Sequence, residues 1–223
     1  PTNLAATVGN GVVNLSWTGN DYSTSYSVYR STTSGSGFTA IATGLSTTSY
    51  QNTGLTNETT YYYKVSSTGA GGESDLTDEI SAIPKAQKYT VKTDGSGDYT
   101  VIQTAIDATT DADTVLVYAG TYVENINYNG KNIVLKSADG PLTTILVPAN
   151  NSISVVRIIN NETADAFLSG FTIKDGGNVR GSAIKISGSS PIIENCIVRD
   201  CDNGAISTFH ALPEIRNCLV YNN

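Results

Sequence analysis

Pro191-Ile192-Ile193-Glu194-Asn195-Cys196-Ile197-Val198 returns as Pro213-Glu214-Ile215-Arg216-Asn217-Cys218-Leu219-Val220. Proline, asparagine and cysteine all move by the same step, and the lead-in Gly181-Ser182-Ala183-Ile184 is echoed by Gly204-Ala205-Ile206. A fainter copy, Leu168-Ser169-Gly170-Phe171-Thr172-Ile173, stands a slightly longer step before Ile193–Val198. A period in the low twenties, built from short apolar runs and polar turns, is one coil of a parallel β-helix, in which each strand pairs with its counterpart one coil away.

Stacking at that period sets Asn195 over Asn217 and Cys196 over Cys218, roughly one strand spacing of 4.8 Å apart. The asparagines are expected to form a side-chain amide ladder that satisfies turn backbone. The cysteines fit either a thiol stack or a strained disulfide, and free thiols are the expectation. Cys196, Cys201 and Cys218 are too few and wrongly spaced for a disulfide framework or a zinc site, so they are read as core.

Before the repeat, Tyr89–Thr93 leads into Asp94-Gly95-Ser96-Gly97-Asp98, and apolar residues at 101, 102, 105 and 106 give Val101–Ala108 the spacing of a two-turn amphipathic helix. Such a helix would close the first coil, whose core and strand edges would otherwise be bare. Short strands follow at Thr114–Tyr118, Val123–Ile126 and Lys131–Leu135. The order of Asp94–Asp98, Ile102-Gln103-x-Ala105-Ile106 and Ala119-Gly120-Thr121-Tyr122-x-Glu124 resembles the N-terminal region of the pectin-lyase-like β-helix superfamily, which includes pectinesterases. The resemblance implies a right-handed β-helix beginning with its cap, a region shared by catalytic and non-catalytic members, so it speaks to fold rather than activity. About four coils are expected by Asn223, with an open last coil on which further coils or another copy of the chain could stack.

Residues 1–84 have a different rhythm. Val12–Trp17, Tyr26–Arg30, Tyr61–Val65 and Ile80–Ile83 alternate apolar and polar residues, and glycine-rich breaks at 9–11, 19–21, 34–37 and 69–72 separate them. That pattern indicates a β-sandwich. Leu15-Ser16-Trp17, Tyr26-Ser27-Val28-Tyr29-Arg30 and Gly54-Leu55-Thr56-Asn57-Glu58-Thr59-Thr60-Tyr61 resemble successive signatures of fibronectin type III domains. By that resemblance Trp17 is the core residue of the second strand, and Tyr61 is the corner tyrosine whose hydroxyl bonds to backbone near Leu55. The whole is therefore read as all-β, with a fibronectin type III-like sandwich over 1–84 and a right-handed parallel β-helix with a short N-terminal capping helix over 85–223.

The net charge of −7 divides into six acids against two bases in 1–84 and fourteen against eleven in 85–223. Neither half has a basic face for nucleic acid, and no apolar run reaches the roughly 18–20 residues of a membrane span. Architecture and composition point to a secreted or cell-surface protein. No nucleophile elbow, zinc-binding helix or phosphate loop is present, and no catalytic residue or cofactor is assigned. A few weaker constellations compete with plain turn and strand roles. Asp94 and Asp98 could hold calcium, as could the Lys174-Asp175-Gly176-Gly177-Asn178 turn. Asp200, Asp202 and His210 could do acid–base work, and Tyr22, Tyr50 and Tyr62 could stack on sugar rings. The leading expectation is a non-catalytic structural or adhesive repeat protein. The alternatives are the N-terminal part of a polysaccharide-active enzyme and a glycan-binding module.

Overall fold

The computed structural model describes residues 1–177 and 182–223. Gly181, at the head of the repeat, and Asn178, at the end of the 174–178 turn, lie outside the described residues. The chain divides into two compact units, Pro1–Ala86 and Gln87–Asn223. Lys85 belongs to the first because its N–H donates to Gly9 O at 3.1 Å.

The first unit is a sandwich of two antiparallel sheets. Its strands are β1 (Thr2–Gly9), β2 (Val12–Thr18), β3 (Ser23–Ser31), β4 (Thr39–Leu45), β5 (Ser49–Asn52), β6 (Tyr61–Gly69), β7 (Gly72–Glu73) and β8 (Ile80–Ala82). One sheet runs β1-β2-β5 and the other β4-β3-β6-β7, with β8 also on β6. Alternation decides which face is inside: Val13, Leu15 and Trp17 are buried on β2, and Tyr61, Tyr63 and Val65 on β6. Trp17 meets Tyr26 edge to face, with ring centroids 5.6 Å apart. The core carries one polar knot, in which Tyr63 Oη and Arg30 Nη1 both donate to Asn52 Oδ1, at 2.9 and 3.2 Å.

The second unit is a parallel β-helix. After β9 (Lys88–Val91) and helix α1 (Ile102–Ala108), the first coil consists of β10 (Thr114–Val117), β11 (Gly120–Val123) and β12 (Ile126–Asn127). The second consists of β13 (Val134–Ser137), β14 (Thr144–Val147) and β15 (Val156–Ile158), and the third of β16 (Phe167–Ser169), β17 (Thr172–Lys174) and β18 (Ile184–Ser187). The fourth consists of β19 (Ile192–Glu194), β20 (Ile197–Arg199) and β21 (Ile206–Phe209), and β22 (Glu214–Arg216) and β23 (Leu219–Tyr221) begin a fifth. Three sheets result, β9-β10-β13-β16-β19-β22, β11-β14-β17-β20-β23 and β12-β15-β18-β21.

Register explains the uneven repeat. Thr114, Val134, Phe167, Ile192 and Glu214 stack in one column, so the coils differ in length, the shortest running from Thr114 to Val134 and the longest from Val134 to Phe167. Length varies in the loops while the inward columns stay constant: Val115, Leu135, Leu168, Ile193 and Ile215 on the first sheet, and Tyr122, Leu146, Ile173, Val198 and Val220 on the second.

The corners are columns as well. Gly170, Asn195 and Asn217 follow β16, β19 and β22 with φ of 81°, 55° and 52°, and Asp175, Asp200 and Asn222 follow β17, β20 and β23 with φ of 58°, 56° and 52°. Only glycine enters this left-handed region freely, and Asn and Asp come next because their short polar groups bond locally. Here the amide-ladder expectation is corrected. Asn195 Nδ2 donates to Glu194 Oε1 at 2.7 Å rather than along a ladder, so asparagine is needed at this corner for its backbone conformation.

Helix α1 covers the first coil with Ile102, Ala105 and Ile106. Val101, expected on its apolar face, is instead the extended residue before the first turn and is exposed. Seven residues are too few to hold a helix by propensity alone. The missing support comes from further along the chain: Glu124 Oε1 accepts Ile102 N–H and Oε2 accepts Gln103 N–H, both at 2.9 Å. Two of the orphan donors at the helix start are thereby satisfied by a negative charge placed where the helix dipole favours it. Tyr122 in the same motif is buried and donates to Tyr118 O at 2.9 Å, which fixes the bend into β11. No helix among the described residues is long and apolar enough to cross a membrane.

Candidate functional site

Each calcium candidate gives one carboxylate oxygen to neighbouring donors. Asp94 Oδ1 accepts Ser96 N–H at 2.9 Å, and Asp98 Oδ2 accepts both the N–H and the hydroxyl of Thr90, at 2.8 and 2.7 Å. These bonds hold both carboxyls below the usual aspartate range. The pair thus closes the turn ahead of α1, and no three metal-ligating acids, histidines or cysteines converge among the described residues.

The acid–base trio is dispersed. Asp200 pairs with Arg199 at the corner after β20, whereas His210 stands at the corner after β21 with its ring stacked on Phe209 at 4.2 Å. Asp202 is tied by its own N–H to Gly176 O at 3.1 Å. The two corners end strands of different sheets, so no carboxylate–imidazole pair forms among the described residues.

The tyrosine platform is also dispersed. Tyr50 lies on the β1-β2-β5 sheet and packs against the core, while Tyr62 lies on the other sheet between the inward Tyr61 and Tyr63. Tyr61 Oη accepts Thr56 N–H at 3.0 Å. Trp17 is in the core, and its Nε1 has no partner among the described residues.

The buried carboxylates escaped sequence reasoning. Glu162 is 1% exposed, with Oε1 accepting Gly130 N–H at 2.9 Å and Oε2 accepting Asn160 N–H and Ser189 Oγ–H, both at 2.7 Å. Asp113 is equally buried, taking Gln87 N–H at 2.7 Å on one oxygen and Thr110 N–H at 2.8 Å on the other. Carboxylates that accept several backbone donors fasten loops. Donors such as Gly130 N–H and Gln87 N–H come from distant parts of the chain, so no local signal could reveal them.

The three cysteines are free thiols. Cys196 is buried and Cys218, its neighbour in the column, is half-exposed. The Cys196 thiol, hydrogen-bonded with the Cys218 thiol and desolvated, is pushed well up, while the same hydrogen bond draws the Cys218 thiol down.

One concavity stands apart from these residues. The 20–23 turn and the 69–74 hairpin of the sandwich flank an open, shallow cleft of about 530 Å³, lined by Asn20, Tyr22, Ser23, Gly69–Gly72, Glu73 and Ser74 among others. Tyr22 is 88% exposed at its edge.

No family model matches the chain. A stretch of 85 residues, 38% of the chain, is 38% identical to part of the amylopullulanase of Thermoanaerobacterium saccharolyticum, and 84 residues are 40% identical to part of the amylopullulanase of Thermoanaerobacter thermohydrosulfuricus. The chain spans only 7% and 6% of those two proteins. Among solved structures, a fibronectin type III-like protein from Clostridium thermocellum is 38% identical, over 36% of this chain and 86% of that one, with a TM-score of 0.35. The similarity thus falls on a segment the size of the sandwich unit, and that unit is fibronectin type III-like.

Proposed function

We propose that this chain is a non-catalytic segment of a secreted or cell-surface protein that works on or among polysaccharides. In this reading the sandwich is a spacer or docking unit and the β-helix is a stiff scaffold for adhesion or display. The observation that carries it is the employment of the carboxylates: Asp94, Asp98, Asp113, Glu124 and Glu162 all accept backbone N–H groups. The polysaccharide setting is supported by the resemblance of a sandwich-sized segment to a small part of two amylopullulanases. We assign the β-helix to the pectin-lyase-like group on the cap turn, α1 and Glu124. A second reading, that the chain is the leading part of a polysaccharide-active enzyme, draws on the same amylopullulanase resemblance.

The test is to incubate the chain with starch, pullulan and pectin and follow new reducing ends, while locating the native protein by immunogold labelling. No chain cleavage and label outside the membrane are expected. Cleavage that disappears when a β-helix carboxylate is replaced would overturn the scaffold reading, as would label confined to the cell interior.

A further inference from the structure

A tyrosine ring left in water forgoes the burial that usually stabilises such a residue by a few kcal/mol, and Tyr22 is the most exposed large apolar side chain among the described residues. It is nonetheless held firmly by its backbone. Asn20 Oδ1 accepts Tyr22 N–H at 3.0 Å and Ser23 Oγ–H at 2.9 Å, and Ser23 N–H returns to Asn20 O at 3.2 Å. On the other wall Gly69 is required by proximity, because a Cβ there would lie 2.4 Å from Tyr22 O. The turn and hairpin are thus pressed together at Gly69, while Gly71 and Gly72 at the hairpin tip face open space.

The lining defines the ligand. Glu73 Oε1 accepts Tyr29 Oη–H at 2.6 Å and Ser66 Oγ–H at 2.5 Å, which leaves Oε2 as an unused acceptor among the described residues, and Asn20 Nδ2 is an unused donor among them. No described cationic side chain lines the cleft, so an acidic sugar would meet Glu73 without compensation. Hydroxyl groups and glycine backbone offer little to an apolar peptide. An exposed ring beside one free acceptor and one free donor suits a neutral sugar, whose C–H face packs on an aromatic and whose adjacent hydroxyls both donate and accept.

We propose that this cleft is a binding subsite for a neutral hexose unit of a polysaccharide, with Tyr22 as the stacking surface and Glu73 and Asn20 as the hydroxyl-binding groups. The inference goes beyond the scaffold reading and does not depend on it: cleavage of polysaccharide by the chain would overturn that reading and leave this one standing.

Affinity electrophoresis of the full chain in native gels containing soluble starch, mixed-linkage β-glucan or polygalacturonate tests it. Retardation is expected with at least one neutral polymer and not with polygalacturonate. Tyr22→Ala is expected to weaken retardation at least about tenfold, and Asn20→Asp and Glu73→Gln to weaken it less, while Tyr62→Ala matches the parent. Thermal unfolding followed by Trp17 fluorescence guards against misfolding and should be unchanged in Tyr22→Ala, since that ring is exposed. Absence of retardation in both neutral gels would overturn the proposal. So would retardation that survives Tyr22→Ala, or equal retardation by polygalacturonate.

Discussion

Replacing Glu124 by alanine removes one side chain and orphans two backbone donors at once, Ile102 N–H and Gln103 N–H, each now 2.9 Å from a separate carboxylate oxygen. A hydrogen bond to a charged group contributes about 1.5–3 kcal/mol, and the half-buried setting of Glu124 favours the lower figure, about 3 kcal/mol for the pair. Placing the charge at a helix N-terminus adds about 0.5 kcal/mol. Water can reach the start of α1 beside exposed Val101 and recovers part of this, so the expected loss is about 2–3 kcal/mol. Glu124→Gln, which keeps one acceptor but turns an amide N–H₂ toward a donor, should lose more than half as much.

Urea unfolding of the full chain measures these losses. Trp17, the one tryptophan in the sequence, reports the sandwich alone, and far-ultraviolet dichroism adds the β-helix. The β-helix transition is expected to move while the Trp17 transition stays, and amide exchange at Ile102–Ala108 should accelerate first, because the loss is local to the cap. A β-helix shift below about 0.5 kcal/mol would refute the claim that Glu124 holds the helix in place.

The β-helix corners, the sandwich carboxylates and the thiols give three further expected outcomes. Asn195→Ala should cost about 1 kcal/mol in the β-helix transition and Asn195→Gly much less, because φ is 55°; equal losses would show that the side-chain bond to Glu194 matters more. Glu73 and Glu79 have carboxyls held below the ordinary glutamate value of 4.5, Glu73 by the Ser66 and Tyr29 hydroxyls and Glu79 by Gly35 N–H and the Ser34 hydroxyl. Their contribution to the sandwich is therefore complete above that value and is lost as pH falls through the lowered folded values. The Trp17 melting temperature should fall on acidification below about pH 4.5, and less steeply in Glu79→Gln; an unaltered slope would contradict the assignment. Iodoacetamide at neutral pH should modify Cys218 well before Cys196 and Cys201, read by peptide mass, and Cys218→Ser should remove the fast phase; equal rates for the three would refute the thiol ordering.

How much of this was legible in the sequence depended on distance along the chain. Ile193 over Ile215 and Val198 over Val220 could be read because both pairs are separated by the same step, so stacking and repetition coincide. The longer step from Val134 to Phe167 hid the earlier coils, since its added loops interrupt the period without disturbing the strand register. Turn chemistry was only half legible. Asn195 and Asn217 stand out as a repeat, but their need for positive φ emerges only with Gly170 in the same column. Functional candidates suffered most. Asp200 and His210 are near neighbours in sequence yet end strands of different sheets, whereas Tyr22 and Gly69 lie far apart in sequence and close together in space. Glu124 is visible as part of a motif, and its partners are not, because they are backbone groups well upstream at the start of α1.

The uneven coils have a consequence for economy of length. Each coil advances the axis by one strand spacing, about 4.8 Å, whereas an extended chain covers about 3.3 Å with every residue. Coils as long as those from Thr114 to Val134 or from Val134 to Phe167 are therefore a poor way to reach across a gap. What they accumulate instead is width: three flanks on which outward side chains recur at the pitch of a single hydrogen-bonded step, with loops that can lengthen without changing that pitch. Adding a coil enlarges the printed area far more than the tether, so selection for more coils in such a molecule is selection for surface.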